Sequence, residues 1–229
     1  VNALSETFDV YIKRDGKLHH MSFKDGIKAS NLEVKEEIGK RNTGTLVSFR
    51  PNPQYFDSPK FSVSRMKHLL RAKAVLCPGL RVFFTDETNS NPDERQYEWF
   101  YEAGLKDYLV DELTGFEVLP AEPFMGSIAG KEEAVDWAVQ WLPEGGDLIT
   151  ESYVNLIPTT QGGTHVSGLR GGLLEALREF CEFRNLVPRG VKISADDIWD
   201  RCSYVLSAKL LDPQFSGQTK ERLNSRQAA

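Results

Sequence analysis

The chain has 229 residues, a formal net charge of −5, 27% charged and 40% hydrophobic residues, and cysteines only at 77, 181 and 202. No run approaches the roughly 20 apolar residues of a membrane helix, and no Cys-x-x-Cys pair or even-numbered cysteine set points to a zinc site or a disulfide framework. The acidic balance leaves any nucleic-acid contact to a local basic surface, and residues 1–6 have neither the basic start nor the apolar middle of a signal peptide, so a cytoplasmic location is expected.

A strand is expected over 8–13. It is followed by Asp15-Gly16, a two-residue hairpin signal, and a returning strand over 17–23. Two further strands, 32–38 and 45–49, complete an antiparallel sheet, with Pro51 and Pro53 ending the second. From 62 to 76, Met66, Leu69, Leu70, Ala72 and Val75 recur at helical spacing, while Arg65, Lys67, Arg71 and Lys73 form a basic exposed face. A strand over 80–84 is expected to join the same sheet, giving a two-layer α/β sandwich. The polar stretch 86–95 reads as a hairpin loop or linker, and the domain boundary is placed near it, between 95 and 96.

The second domain opens with a strand over 96–102 and a helix over 105–113. After a proline-punctuated stretch comes a strand over 124–129. Val135, Trp137, Val139 and Trp141 alternate strictly, which fits a half-buried strand over 132–142 better than a helix. The segment 148–156 is expected to be its antiparallel partner. Leu169, Leu173, Leu174, Leu177, Phe180, Cys181 and Phe183 form the longest apolar stripe at 3.6 periodicity. Ser194 and Asp197 form a capping box for a short helix, and 202–210 is the last strand, running into the tail.

That tail reads Asp212-Pro213-Gln214-Phe215-Ser216-Gly217-Gln218-Thr219-Lys220. An amide, a hydroxyl and an ammonium fall within three residues on a segment that Pro213 and Gly217 keep irregular, so all three can converge on one anion.

Three segments stand together in order: Arg41-Asn42-Thr43-Gly44-Thr45 entering a strand, Gln161-Gly162-Gly163-Thr164-His165 entering the long helix, and Gln218-Thr219-Lys220 after the last strand. They resemble the B subunits of bacterial type IIA DNA topoisomerases. Val135-Asp136-Trp137-Ala138, Pro188-Arg189-Gly190-Val191-Lys192 and Asp197-Ile198-Trp199-Asp200-Arg201 are similar to the topoisomerase IV branch rather than to gyrase. The resemblance implies an α+β chain of two two-layer α/β domains. Residues 1–95 would be the trailing part of a GHKL-type ATPase domain, mostly antiparallel sheet. Residues 96–229 would be a transducer domain with a left-handed βαβ crossover, like a domain of a ribosomal small-subunit protein.

The resemblance also implies roles. Lys220 and Gln218 would be catalytic and nucleotide-binding, reaching the γ-phosphate of ATP; Thr45 would line the adenine pocket; Arg170 would serve DNA contact or the coupling of hydrolysis to strand passage. The family's glutamate base, magnesium-binding asparagine and Asp-Gly-x-Gly motif do not occur in this sequence, and Val1 falls just after the family's lid. The chain therefore looks N-terminally truncated and is expected to be inactive as an ATPase by itself, to hold neither ATP nor Mg2+, and to be monomeric, because the family pairs through an N-terminal arm. In the whole enzyme the partners would be DNA and the A subunit.

His165 reads as a hydrogen-bonded structural histidine rather than a catalytic one. No metal site is expected, since His19 and His20 point to opposite faces of a strand. The alternatives are an RNA- or protein-binding module of the same fold, and a chaperone or mismatch-repair member of the same ATPase superfamily; the Gln218 and Lys220 pair disfavours the first and the segment 160–165 the second.

Overall fold

The computed structural model describes residues 1–188 and 190–229, which divide into two compact units, Val1–Ser62 and Val63–Ala229. Arg189, one of the residues carrying the family resemblance, lies outside the described residues.

In the first unit β1 (Ser5–Arg14) and β2 (Lys17–Lys24) pair antiparallel with Arg14 opposite Lys17. Asp15 and Gly16 both take positive φ, +52° and +77°, as a two-residue turn matched to strand twist requires. β3 (Ile27–Lys28) and β4 (Glu33–Glu37) pair with β2, and β5 (Gly44–Pro51) pairs with β1. His20 is buried, stacked on Tyr11 at 4.2 Å, with Nε2 3.0 Å from Asp9 Oδ1. The described residues of this unit form no α-helix, and Leu46, Val47 and Phe49 on β5 are exposed.

The second unit begins with α1 (Val63–Leu76), followed by the hairpin β6 (Arg81–Thr85) and β7 (Gln96–Phe100), then α2 (Leu105–Glu112). The strand expected over 80–84 therefore pairs with β7 in a sheet of its own rather than extending the first sheet. The reason lies in the stretch 86–95: it brings the chain straight back, with Asp86 N donating to Arg95 O and Thr85 opposite Gln96. Its hairpin reading stands, but a chain division there would separate β6 from β7. The contact division lies between Ser62 and Val63 because Ala72, Ala74, Val75 and Leu76 of α1 share a core with Tyr101, Leu105, Tyr108 and Leu109.

The main sheet of this unit comprises β8 (Leu119–Ala129), β9 (Glu133–Trp141), β10 (Thr150–Val154), β11 (Ile157–Pro158) and β12 (Cys202–Leu210), in the order β11-β10-β12-β9-β8. The strict alternation over 132–142 is indeed a strand, but 148–156 is not its partner: β12 lies between β9 and β10, antiparallel to the first and parallel to the second. The physical reason is burial. Eight of the nine β12 residues are buried, and a strand covered on both faces is satisfied at the centre of a sheet, not at an edge.

Successive β12 residues feed opposite cores. Val205 joins Ala138, Leu142 and Tyr153 beneath α1 and α2. Tyr204 and Leu206 join Val139, Val166 and Trp199 beneath α3 (Thr164–Arg184) and α4 (Ala195–Trp199). Helices thus cover both faces, α1 and α2 adding a layer to the one formed by α3 and α4. Each fully buried leucine, such as Leu109, Leu142 or Leu206, contributes roughly 2 kcal/mol. β10 and β12 are a parallel pair joined through α3 and α4, a βαβ crossover. The expected capping box opens α4: Asp197 N donates to Ser194 Oγ at 3.3 Å and Ser194 N to Asp197 Oδ2 at 2.7 Å. Ser194 Oγ also donates to Asp197 Oδ2 at 2.7 Å, and this bond first, with the one from Ser194 N, holds the Asp197 carboxyl below its ordinary range.

Candidate functional site

β12 leads out at Leu210 into a loop that folds back on itself. Asn224 N donates to Gln214 O at 2.8 Å, Ser216 N to Arg222 O at 2.9 Å, and Phe215 forms an antiparallel bridge with Leu223. The tip is a turn over 217–220 closed by Lys220 N to Gly217 O at 3.3 Å, with Gly217 at φ +111° and Lys220 at +61°. Left-handed backbone at a lysine costs on the order of 1 kcal/mol, so the surrounding bonds must impose it.

Those bonds come from the segment that opens α3. Gln161 N donates to Glu221 O at 2.9 Å, Leu223 N to Gly162 O at 3.0 Å, and Thr164 N to Leu223 O at 3.1 Å. The last of these satisfies one of the N–H groups that a helix start leaves without an internal partner. A Cβ on Gly163 would stand 2.3 Å from Leu223 O and 2.6 Å from Leu223 N, so only glycine lets the two backbones meet. Leu223 is fully buried, packed with Val154, Ala208, Leu210 and Phe215. Two segments read separately in the sequence are therefore one structure.

Beneath them runs a buried polar chain. Thr159 N donates to Ser152 O at 2.8 Å, Ser152 Oγ lies 2.7 Å from Thr159 Oγ1, and Thr159 Oγ1 lies 3.0 Å from His165 Nε2. His165 is 4% exposed, its Nδ1 has no partner among the described residues, and burial pushes its pKa down to about 4. A neutral, enclosed imidazole bonded to a threonine matches the structural reading of this histidine.

Gln218 and Lys220 are exposed at the tip. Lys220 Nζ lies 5.9 Å from the Phe215 ring centre, and among the described residues it enters no ion pair, so its charge is available to an anion. Arg170 lies in the same unit, on α3. Its guanidinium carbon stands 5.1 Å from the Trp199 ring, which meets Tyr204 edge-on at 5.8 Å. Behind it burial pushes the Cys202 thiol up to about 12. Arg170 is thus a cation held over an indole face.

Thr45 belongs to the first unit, on β5 opposite Ile12, where it lines an open cavity of about 370 Å³ with Tyr11, Lys13, Leu18 and Thr43. Among the described residues no three His, Cys, Asp or Glu side chains are grouped to hold a metal ion. Sequence reading assigned no role to Glu221, Leu223 or Thr159. An acidic residue directly after the lysine was the available signal for the first, whereas a lone leucine and threonine carry none.

The DNA gyrase B family profile matches residues 104–229, more than half the chain, and the chain belongs to that family. Over all 229 residues it is 63% identical to the B subunit of DNA topoisomerase 4 from Haemophilus influenzae and 61% identical to that from Escherichia coli, spanning 36% of the length of each. Among solved structures it is similar to the topoisomerase IV ATP-binding domain of Francisella tularensis in complex with a small-molecule inhibitor, at TM-score 0.81 and 40% identity, covering 99% of this chain and 60% of that one. It is likewise similar to the 43K ATPase domain of Thermus thermophilus gyrase B in complex with an aminocoumarin, at TM-score 0.81 and 29% identity, covering 99% of this chain and 60% of that one. The mixed α/β fold with antiparallel sheets is thus that of ATPase domains of type IIA topoisomerase B subunits.

Proposed function

We propose that this chain serves the B subunit of an ATP-dependent type IIA DNA topoisomerase of the topoisomerase IV kind, which passes one duplex through a break in another together with an A subunit, in the bacterial cytoplasm. Residues 1–95 would contribute to the ATPase domain, with Thr45 toward the adenine, and 96–229 would transmit nucleotide state toward the DNA. Arg170 would take part in that coupling or in DNA contact, with Trp199 orienting its guanidinium.

The observation that carries this reading is the turn over 217–220: it is braced from below by Gly163 and Leu223, and it presents side by side an amide and an ammonium with no ion pair among the described residues. Lys220 would neutralise charge that grows on the terminal phosphate oxygens as the bond to the leaving diphosphate breaks, and Gln218 would orient those oxygens or the attacking water. Magnesium, when bound with ATP, would supply further charge neutralisation; the described residues form no site for it, and no step is assigned to it.

Lys220→Ala in the full-length subunit tests the reading. ATP turnover should fall by about 100-fold or more while nucleotide affinity changes only a few-fold, the pattern of an interaction made chiefly in the transition state. Near-normal turnover would overturn it.

A further inference from the structure

We propose that Gln161 and Glu221 are positioning residues for Lys220, and that Gln161 holds the Glu221 carboxylate away from the lysine so that the ammonium stays free for phosphate. This rests on the function proposed above for Lys220. The Glu221 Oε2 atom accepts from Gln161 Nε2 at 3.1 Å and from Thr219 Oγ1 at 3.4 Å. Thr219 and Glu221 are the two neighbours of Lys220, so one carboxylate oxygen bridges the residues on either side of it. With Gln161 N also bonded to Glu221 O at 2.9 Å, Glu221 is held by both its backbone and its side chain. Lys220, already at φ +61°, is left little freedom to turn.

The same contacts answer an electrostatic problem. A glutamate directly beside a lysine at an exposed turn is the anion nearest to hand, and an ammonium paired with it is a poorer partner for phosphate. Gln161, neutral and donating, occupies that carboxylate without adding charge. Its hydrogen bond spans 60 residues of chain, so its place depends on the backbone meeting at Gly163 and Leu223.

Gln161→Leu removes the donor while keeping bulk. In the 229-residue chain, amide exchange at Lys220, whose N–H donates to Gly217 O, should then quicken about fivefold, the scale of one exposed hydrogen bond. In the full-length subunit the same change should lower kcat about fivefold with KM within twofold, because the freed carboxylate competes for Lys220. Adding Glu221→Gln should restore most of the lost kcat, since the competing charge is gone, although a purely structural contact would lose more with each removal. Unchanged exchange at Lys220 in Gln161→Leu, or a double variant no faster than Gln161→Leu, would overturn the inference while leaving the role of Lys220 standing. Near-normal turnover in Lys220→Ala would instead remove the reading on which it rests.

Discussion

Gly163 is the residue on which the candidate site turns. At φ +138° with backbone atoms of Leu223 inside 3 Å of any added Cβ, it cannot be replaced without moving one chain off the other. Gly163→Ala should cost about 3 kcal/mol or more in chemical denaturation and should expose the Leu223 amide to exchange. Two residues on, His165 predicts a pH effect. Its folded pKa of about 4 lies below the ordinary histidine value of 6.5, so the unfolded chain takes up a proton that the folded chain refuses. Stability is therefore full above pH 6.5 and is lost as pH falls from there toward 4, by up to about 3 kcal/mol. Denaturation midpoints at pH 7.5 and 4.5 should differ less in His165→Gln, which cannot take that proton; an unchanged difference would assign the acid sensitivity elsewhere.

At the scale of elements, local signals were read well and long-range partners poorly. The capping box at Ser194 and Asp197 was legible because both halves lie within four residues, and Ser194→Ala should cost about 1 kcal/mol by thermal melting. The alternation of Val135, Trp137, Val139 and Trp141 identified β9 as a strand, but nothing in 148–156 shows that β12, some 50 residues later, would come between them. A parallel partner arrives only after α3 and α4, and alternation is silent on it. The same holds at the site. Gln161-Gly162-Gly163-Thr164-His165 and Gln218-Thr219-Lys220 were both legible as motifs, yet their meeting is made of backbone bonds and a buried Leu223, to which side-chain chemistry offers no guide. Arg170 was legible as a candidate, and its aromatic partner Trp199 was not, since 29 residues and a helix end separate them.

For the whole molecule, the division between Ser62 and Val63 differs from the one near residue 95 that the polar stretch suggests, and the two are distinguishable. A chain of residues 63–229 keeps α1 in its core and β6 paired with β7. A chain of residues 96–229 loses four buried residues of α1 together with the partner strand of β7. Residues 63–229 should therefore melt cooperatively and residues 96–229 should melt lower or without a sharp transition; equal stability would favour the later boundary. One further property follows from β12. It faces nine partner positions on β9 and five on β10, and the loop bearing Lys220 leaves from its end. A pull on that loop along the strand axis loads both ladders in shear at once instead of peeling them bond by bond. The strand thus behaves as a stiff rod set into the middle of the sheet: a displacement at the tip is carried into the sheet as a whole, with little of it spent in stretching the connection.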